Sequence, residues 1–153
     1  MALLDKLTGT RYPDSATAPL PTTELRAALF ALNGPGVPFV VRHGTSKERA
    51  DLVAESRIPE LRMTIRTRMK LDPAKREVRT FDERWEASSP EGGRRYTRGQ
   101  VTGVYRQWTY ERGPDGRRRR VETLSFDTKH VKDPLRNTVL AAGWTWRGVF
   151  FRL

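Results

Sequence analysis

Two hydrophobic periods divide the chain. Leu25, Ala28, Leu29 and Leu32 recur at helical spacing and form one apolar stripe. Pro21-Thr22-Thr23 precedes the stripe, which predicts a threonine N-cap and puts Glu24 in the first turn, where the helix dipole favours an acid. Asn33-Gly34-Pro35 stops this helix, because glycine accepts the left-handed position after a helix and proline cannot continue it. From Val37 onward the period falls to two. Val37–Arg42 reads as a short strand closed by His43-Gly44, and Asp51–Ile58 as a second with Leu52, Ala54, Ser56 and Ile58 on one face. Arg62–Leu71 alternates most cleanly: Met63, Ile65, Thr67, Met69 and Leu71 face a core, while Arg62, Thr64, Arg66, Arg68 and Lys70 face solvent.

Asp72-Pro73-Ala74-Lys75 predicts a turn into a returning strand from Glu77 to about Ala87, and Gly92-Gly93 a flexible loop. Gln100–Glu111 and Arg118–Asp127 form a second hairpin around Gly113-Pro114-Asp115-Gly116. Asp133-Pro134 has the form of a helix start, with Asp as N-cap and Pro at the first helical position; Leu135, Val139 and Leu140 supply its apolar face and Gly143 its end. Trp144–Phe151 is the last strand. This order predicts an α+β domain: a mostly antiparallel, twisted sheet or half-barrel of about six to seven strands, flanked by the Glu24–Leu32 and Leu135–Ala142 helices. Residues 1–22, rich in Pro, Thr and Ser from Thr8 onward, read as a linker or surface-hugging arm, and 23–153 as a single domain.

Composition narrows the setting. At 153 residues the chain has the usual size of one domain, with four tryptophans to fill its core. It has no cysteine, so disulfides and thiolate ligands are excluded. No apolar run reaches the roughly 20 residues of a membrane span, and Met1–Leu7 has leucines but no basic leader. A cytoplasmic location follows as the expectation.

Charge changes the picture more. The net charge is +11, yet residues 1–56 hold six basic and six acidic side chains, so the whole excess lies in 57–153, 23 basic against 12 acidic. A basic half beside a neutral one suits an anionic partner, nucleic acid or an acidic protein face. Only six of the 29 cations are lysine, a bias that a GC-rich genome also produces without any binding role.

Three cationic groups stand out. Arg62, Arg66, Arg68 and Lys70 project from one side of the third strand at a spacing that can follow phosphates. The competing reading pairs Lys70 with Val78, which sets Asp82 opposite Arg66 and Glu86 opposite Arg62 and spends two of the cations inside the sheet. Arg117, Arg118, Arg119 and Arg120 follow the second hairpin turn, divided by alternation two to each face; they suit a phosphate array or an edge that discourages aggregation. Arg94 and Arg95 with Tyr96, and Arg106 among Tyr105, Trp108 and Tyr110, interleave cations with aromatic rings as single-strand binders do, or as a sheet core does. Catalysis has little to stand on. His43 and His130 are far apart, no metal-ligand spacing, phosphate loop or serine elbow is present, and no cofactor is implied.

Lys6–Pro13, Ala50–Glu55 and Gly143–Val149 together resemble a family of small uncharacterised actinobacterial proteins over most of the chain, with a departure at Ser56, where that family has tryptophan. The resemblance implies a bacterial cytoplasmic protein and carries no activity, cofactor or site residue. The expected function is a non-enzymatic binding module with a basic face for a polyanion, nucleic acid first. The alternatives are an assembly subunit docking an acidic partner through an aromatic anchor such as Trp144 or Trp146, and a small-molecule-binding domain or enzyme.

Overall fold

Strands separated by short polar turns pair with their chain neighbours, and most of this sheet is built that way. The computed structural model describes residues 3–87, 93–151 and 153. Strands β1 (Val40–His43), β2 (Leu52–Ile58), β3 (Met63–Asp72), β4 (Glu77–Ala87) and β5 (Arg94–Gly99) lie side by side in sequence order, all antiparallel. β6 (Val104–Arg112) and β7 (Arg118–Asp127) form a separate two-stranded hairpin, and β8 (Thr145–Gly148) returns to lie parallel to the first half of β4. The helices are α1 (Leu3–Thr8), α2 (Thr22–Phe30) and α3 (Lys129–Ala141). The fold is therefore α+β with a mostly antiparallel sheet, and that sheet is not closed into a barrel.

One face of the sheet makes the core. Leu52, Ala54 and Ile58 of β2, Met63, Ile65, Met69 and Leu71 of β3, Val78 of β4 and Trp146 of β8 pack with Leu25 and Leu29 of α2 and Val131, Leu135 and Val139 of α3. The alternation of β3 predicts this face residue by residue. Val53 and Phe81 are buried on the opposite face, outside that cluster. Among the described residues no helix is long and apolar enough to cross a membrane.

The N-terminal arm hugs this body. Arg11 exchanges backbone hydrogen bonds with Trp146, at 2.8 and 2.9 Å, and the Thr10 hydroxyl accepts from Gly148 N. Gly148 permits the close approach, since a β-carbon there would meet the Thr8 carbonyl oxygen at 1.9 Å. Leu20 N donates to Ala142 O at 2.8 Å, next to the end of α3, which Gly143 terminates at φ 77°.

Several expectations need correction. The α+β class holds, and among the described residues the strand the sequence does not mark is Arg94–Gly99, whose side chains are mostly exposed and which has no apolar face. α3 begins at Lys129, so Asp133 is not its N-cap and Pro134 lies inside the helix. The start is marked instead by Asp127, whose carboxylate accepts from Lys129 N at 3.0 Å. α2 begins directly after Pro21, with no threonine side-chain cap. The β3–β4 register also differs by one residue: Leu71 faces Val78, Arg66 faces Glu83, and Met63 faces Glu86. The four residues between the strands end in Arg76 at φ 51°, which admits one more residue into the turn than Asp72–Lys75 provides. A one-residue slip exchanges the faces of a strand. Asp82 thus enters the core side instead of pairing with Arg66. Gly92 of the predicted flexible loop lies outside the described residues.

Candidate polyanion interface

The face of the sheet turned away from the core is a lattice of charges. On β2 the residues between the core positions are Val53, Glu55 and Arg57; on β3 they are Thr64, Arg66, Arg68 and Lys70; on β4, Arg79, Phe81, Glu83 and Trp85. Glu55 is contacted by three arginines: Arg57 Nε at 2.8 Å, Arg42 at 3.2 Å and Arg66 Nε at 3.3 Å. Arg42 also grips Glu48 with both terminal nitrogens, each at 2.8 Å, in a bidentate pair. Arg68 Nε lies 2.5 Å from Glu83 without the alignment of a hydrogen bond, and its guanidinium stacks over Phe81. The carboxylates are nearly buried and the arginines arch over them, so much of the strand's positive charge is neutralised in place.

That pairing leaves a signature in the ionisation of the acids. The hydrogen bonds from Arg42 hold the Glu48 carboxyl at about 2, against an ordinary value of 4.5, despite burial that opposes the charge. Burial raises Glu55, but Arg57, Arg66 and Arg42 outweigh it and lower its pKa. Burial together with the Glu83 carboxylate pushes the Tyr96 hydroxyl up to about 12. For a carboxyl whose pKa is lowered by folding, the stabilisation is complete above its unfolded value and is lost as pH falls toward the folded one. Glu48 therefore contributes roughly 1–3 kcal/mol at neutral pH, allowing for solvent around Arg42, and loses it between about pH 4.5 and about pH 2. In urea melts, Glu48→Gln is expected to lower stability at pH 7 and to show a shallower loss than the unsubstituted protein between pH 4.5 and 2.5. Parallel pH profiles would contradict the assignment.

The β6–β7 hairpin is built on the opposite plan. Its base is anchored: Phe126 is buried, the Tyr105 hydroxyl accepts from Arg84, Gln107 donates to the Glu60 carbonyl, and Thr128 is tied to Gly103. Beyond Gln107 nearly every residue is exposed. The ladder sets Trp108 opposite Glu122, Tyr110 opposite Arg120 and Arg112 opposite Arg118, and directly opposed residues share a face. The Arg120 guanidinium lies 4.2 Å from the Trp108 ring centroid and Arg118 lies 5.6 Å from Tyr110. Trp108 is 41% and Tyr110 65% exposed. Arg106, Trp108, Tyr110, Arg112, Arg118 and Arg120 thus share one outward surface of rings and cations, with Glu122 as the acid opposite Trp108. Arg112 and Arg118 are like charges directly opposite, an arrangement that costs a sheet stability unless an anion lies between them.

The cationic groups expected from sequence therefore separate. Arg118 and Arg120 join the exposed aromatic face, Arg119 lies on the other side opposite Glu111, and Arg117 ends the turn. Arg66 and Arg68 are engaged with Glu55 and Glu83, whereas Lys70 borders a shallow depression beside Arg49 and Asp51. Arg62 and Arg94 meet at the far end of the sheet with Arg66, and Arg95 points from the other side of β5, opposite Glu86. Arg112 and Arg57 are not among the site residues expected from sequence. The hairpin register gives the first and the alternation of β2 the second. Trp144 and Trp146 are buried and cannot anchor a partner. His43 packs against Phe30 at 4.8 Å between ring centroids, and His130 is exposed on α3. Among the described residues no group of three or more His, Asp or Glu is placed to hold a metal ion.

Comparison with known proteins gives no match: no family model fits the chain, and no curated protein or solved structure is significantly similar to it.

Proposed function

We propose that this protein is a non-enzymatic binding module for nucleic acid, single-stranded first, working in the cytoplasm, with the outer face of the β6–β7 hairpin as its contact surface. The observation that carries this reading is the pairing of two exposed rings, Trp108 and Tyr110, with Arg120 and Arg118 on one projecting face. Unpaired bases stack on such rings at about 1–3 kcal/mol each, whatever their identity. Arg106, Arg112 and the two stacked arginines then neutralise the phosphates between them, and the opposed Arg112 and Arg118 lose their mutual repulsion to a shared phosphate. Contacts of this kind give little sequence readout. The charge lattice on the sheet is secondary for the phosphates within a strand, because Arg42, Arg57, Arg66 and Arg68 already have carboxylates.

Fluorescence-anisotropy titrations of labelled single- and double-stranded DNA and RNA across a salt series test the reading. Binding near physiological salt is expected, with single strands preferred. Arg117→Ala/Arg118→Ala/Arg119→Ala/Arg120→Ala should weaken it by about 100-fold and flatten the salt slope by about 0.7 for each phosphate the variant no longer neutralises. Trp108→Ala/Tyr110→Ala should weaken it by a similar factor while leaving the salt slope almost unchanged. Binding seen only at very low salt and indifferent to both variants would remove nucleic acid as the partner.

A second reading, docking of a protein partner, has one observation of its own. Leu3, Leu4 and Leu7 of α1 and Phe151 are all strongly exposed, and Leu4 and Phe151 border the same small depression beside Arg147. This reading takes precedence if nucleic-acid binding is absent.

A further inference from the structure

At the end of the sheet opposite the β3–β4 turn, the charged face opens into a cleft of about 540 Å³. That volume lies within the range of about 300–1,000 Å³ typical of small-molecule sites. Four arginines line it: Arg57 from β2, Arg62 from the turn before β3, Arg66 from β3 and Arg94 from the start of β5. Among the described residues Glu55 and Glu86 are the acids in the lining, which leaves two of its four arginine charges unbalanced. Glu55 is committed to Arg57 and Arg66, and Glu86 approaches Arg84 at 4.0 Å. Among the described residues, Arg62 and Arg94 make no ion pair.

The backbone at Arg62 marks the place independently. It is left-handed, φ 50° and ψ 42°, a region that a residue with a β-carbon seldom occupies. The strain is held from both sides, by Arg62 N donating to Pro59 O at 3.0 Å and by Ala87 N donating to Arg62 O at 3.1 Å. Backbone strain of this kind is concentrated at binding sites, where the surrounding structure fixes a side chain for its ligand. Trp85 provides the wall, but Arg66 covers its ring at 4.8 Å and Tyr96 packs on it at 5.4 Å. Trp85 is half-buried under both neighbours and offers less open ring than Trp108 or Tyr110 on the hairpin, so the cleft is suited to a compact anion more than to a stacked base. Thr64 adds a hydroxyl able to donate to that anion.

We propose that this cleft is a binding site for a phosphate monoester, with Arg62 and Arg94 as the principal ligands of the phosphoryl group and Arg57, Arg66 and Thr64 completing its surroundings. A monoester carries nearly two negative charges at neutral pH, which matches the two unbalanced positive charges. A phosphodiester carries one. The site is thus distinct in chemistry from the hairpin face, and it stands whether or not that face binds nucleic acid. Two sources supply this group: a free small molecule, and the terminal phosphate of a nucleic-acid strand.

Isothermal titration of the full chain with AMP, ribose 5-phosphate and dimethyl phosphate tests the proposal, together with a short oligonucleotide bearing either a 5′-phosphate or a 5′-hydroxyl. Binding of the monoesters with Kd of about 1 mM or tighter at 0.15 M salt is expected, with dimethyl phosphate at least about tenfold weaker. Affinity should fall several-fold between pH 7.5 and 5.5, as the monoester gains a proton with pKa near 6 while the arginines stay charged. Arg62→Ala and Arg94→Ala should each weaken binding by about tenfold or more. Arg62→Lys, which retains the charge, guards against a folding artefact and should bind with an affinity between those of Arg62→Ala and the unsubstituted protein. The Arg117–Arg120 alanine variant should bind the monoesters as the unsubstituted protein does. A preference for the 5′-phosphorylated oligonucleotide over AMP assigns the site to strand ends, and the reverse assigns it to a free metabolite. The proposal is overturned if no monoester binds at that salt, if dimethyl phosphate binds as well as AMP, or if folded Arg62 and Arg94 variants retain full affinity.

Discussion

Replacing Asp82 with alanine should destabilise the protein by about 3–5 kcal/mol, because it leaves a nearly buried ammonium without its counter-charge. Asp82 is 1% exposed, on the core side of β4. Lys132 Nζ from α3 lies 2.6 Å from one carboxylate oxygen, which also accepts from Val101 N at 2.9 Å. The Thr67 hydroxyl donates to the other oxygen at 2.9 Å, and Lys132 also donates to Gln100 at 3.2 Å. One carboxylate therefore joins β3, β4, α3 and the segment that leads into the β6–β7 hairpin. Replacing both charges with apolar residues of similar size removes the desolvation penalty along with the attraction, so Asp82→Leu/Lys132→Met should recover most of what either single variant loses. Urea denaturation of the two single variants and the double variant decides it. A loss below about 1 kcal/mol for Asp82→Ala, or a double variant no better than the singles, would mean that solvent reaches Lys132 freely. Since Asp82 also fixes Val101, the single variant should bind nucleic acid more weakly even where it remains folded, through a loosened hairpin base.

The same residue shows where the sequence was readable and where it was not. Alternation in β3 places Met63, Ile65, Thr67, Met69 and Leu71 against the core, and they are buried there. It works because one face of that strand is apolar without interruption. β5 has no such face. Arg94–Gly99 is held by its ladder to β4 and by polar contacts, Tyr96 to Glu83 and Arg84 to Thr97, none of which has a period to detect. The Asp72-Pro73 dipeptide by itself implies a register one residue away from the one the β3–β4 pair adopts. Pairing Leu71 with Val78 puts both apolar residues on the core, and that requirement outweighs the preference of a turn dipeptide. The corrected register buries Asp82 and frees Glu83 for Arg68.

Of the candidate site, the cation and aromatic alternation in β6 was legible, and so was the division of Arg117–Arg120 between two faces. The gathering of Arg57, Arg62 and Arg94 was not. They come from three elements, and their meeting depends on sheet order and on the left-handed turn at Arg62. Nor did the sequence distinguish paired from unpaired arginines. Glu48 lies between β1 and β2, seven residues from Glu55, yet Arg42 holds both, because the Thr45–Arg49 turn folds Glu48 back toward β1. A count of charges treats Arg42 and Arg118 alike, whereas the fold neutralises the first and exposes the second.

Trp144→Ala should cost about 3–5 kcal/mol and lower Tm by roughly 10–15 °C, and it should do so by releasing the N-terminal arm as well as by opening a cavity. The indole is fully buried between the end of α3 and β8. Its Nε1 donates 2.8 Å to the Leu20 carbonyl, 124 residues away, and that oxygen also accepts from Arg76 at 3.2 Å. Arg76 in turn lies over the ring at 5.7 Å. Because Leu20 keeps the Arg76 donor, Trp144→Phe loses one hydrogen bond and some volume but leaves no buried carbonyl unsatisfied, and should cost only about 1–2 kcal/mol. Limited proteolysis separates a local cavity from release of the arm. If the arm depends on this contact, Trp144→Ala becomes cleavable between Ala16 and Leu20 under conditions where Trp144→Phe and the unsubstituted protein are not. Equal protection in all three would show that the backbone pairing of Arg11 with Trp146 holds the arm by itself. The proline-rich stretch would then owe its place to the edge of β8, and the tryptophan would serve the core alone.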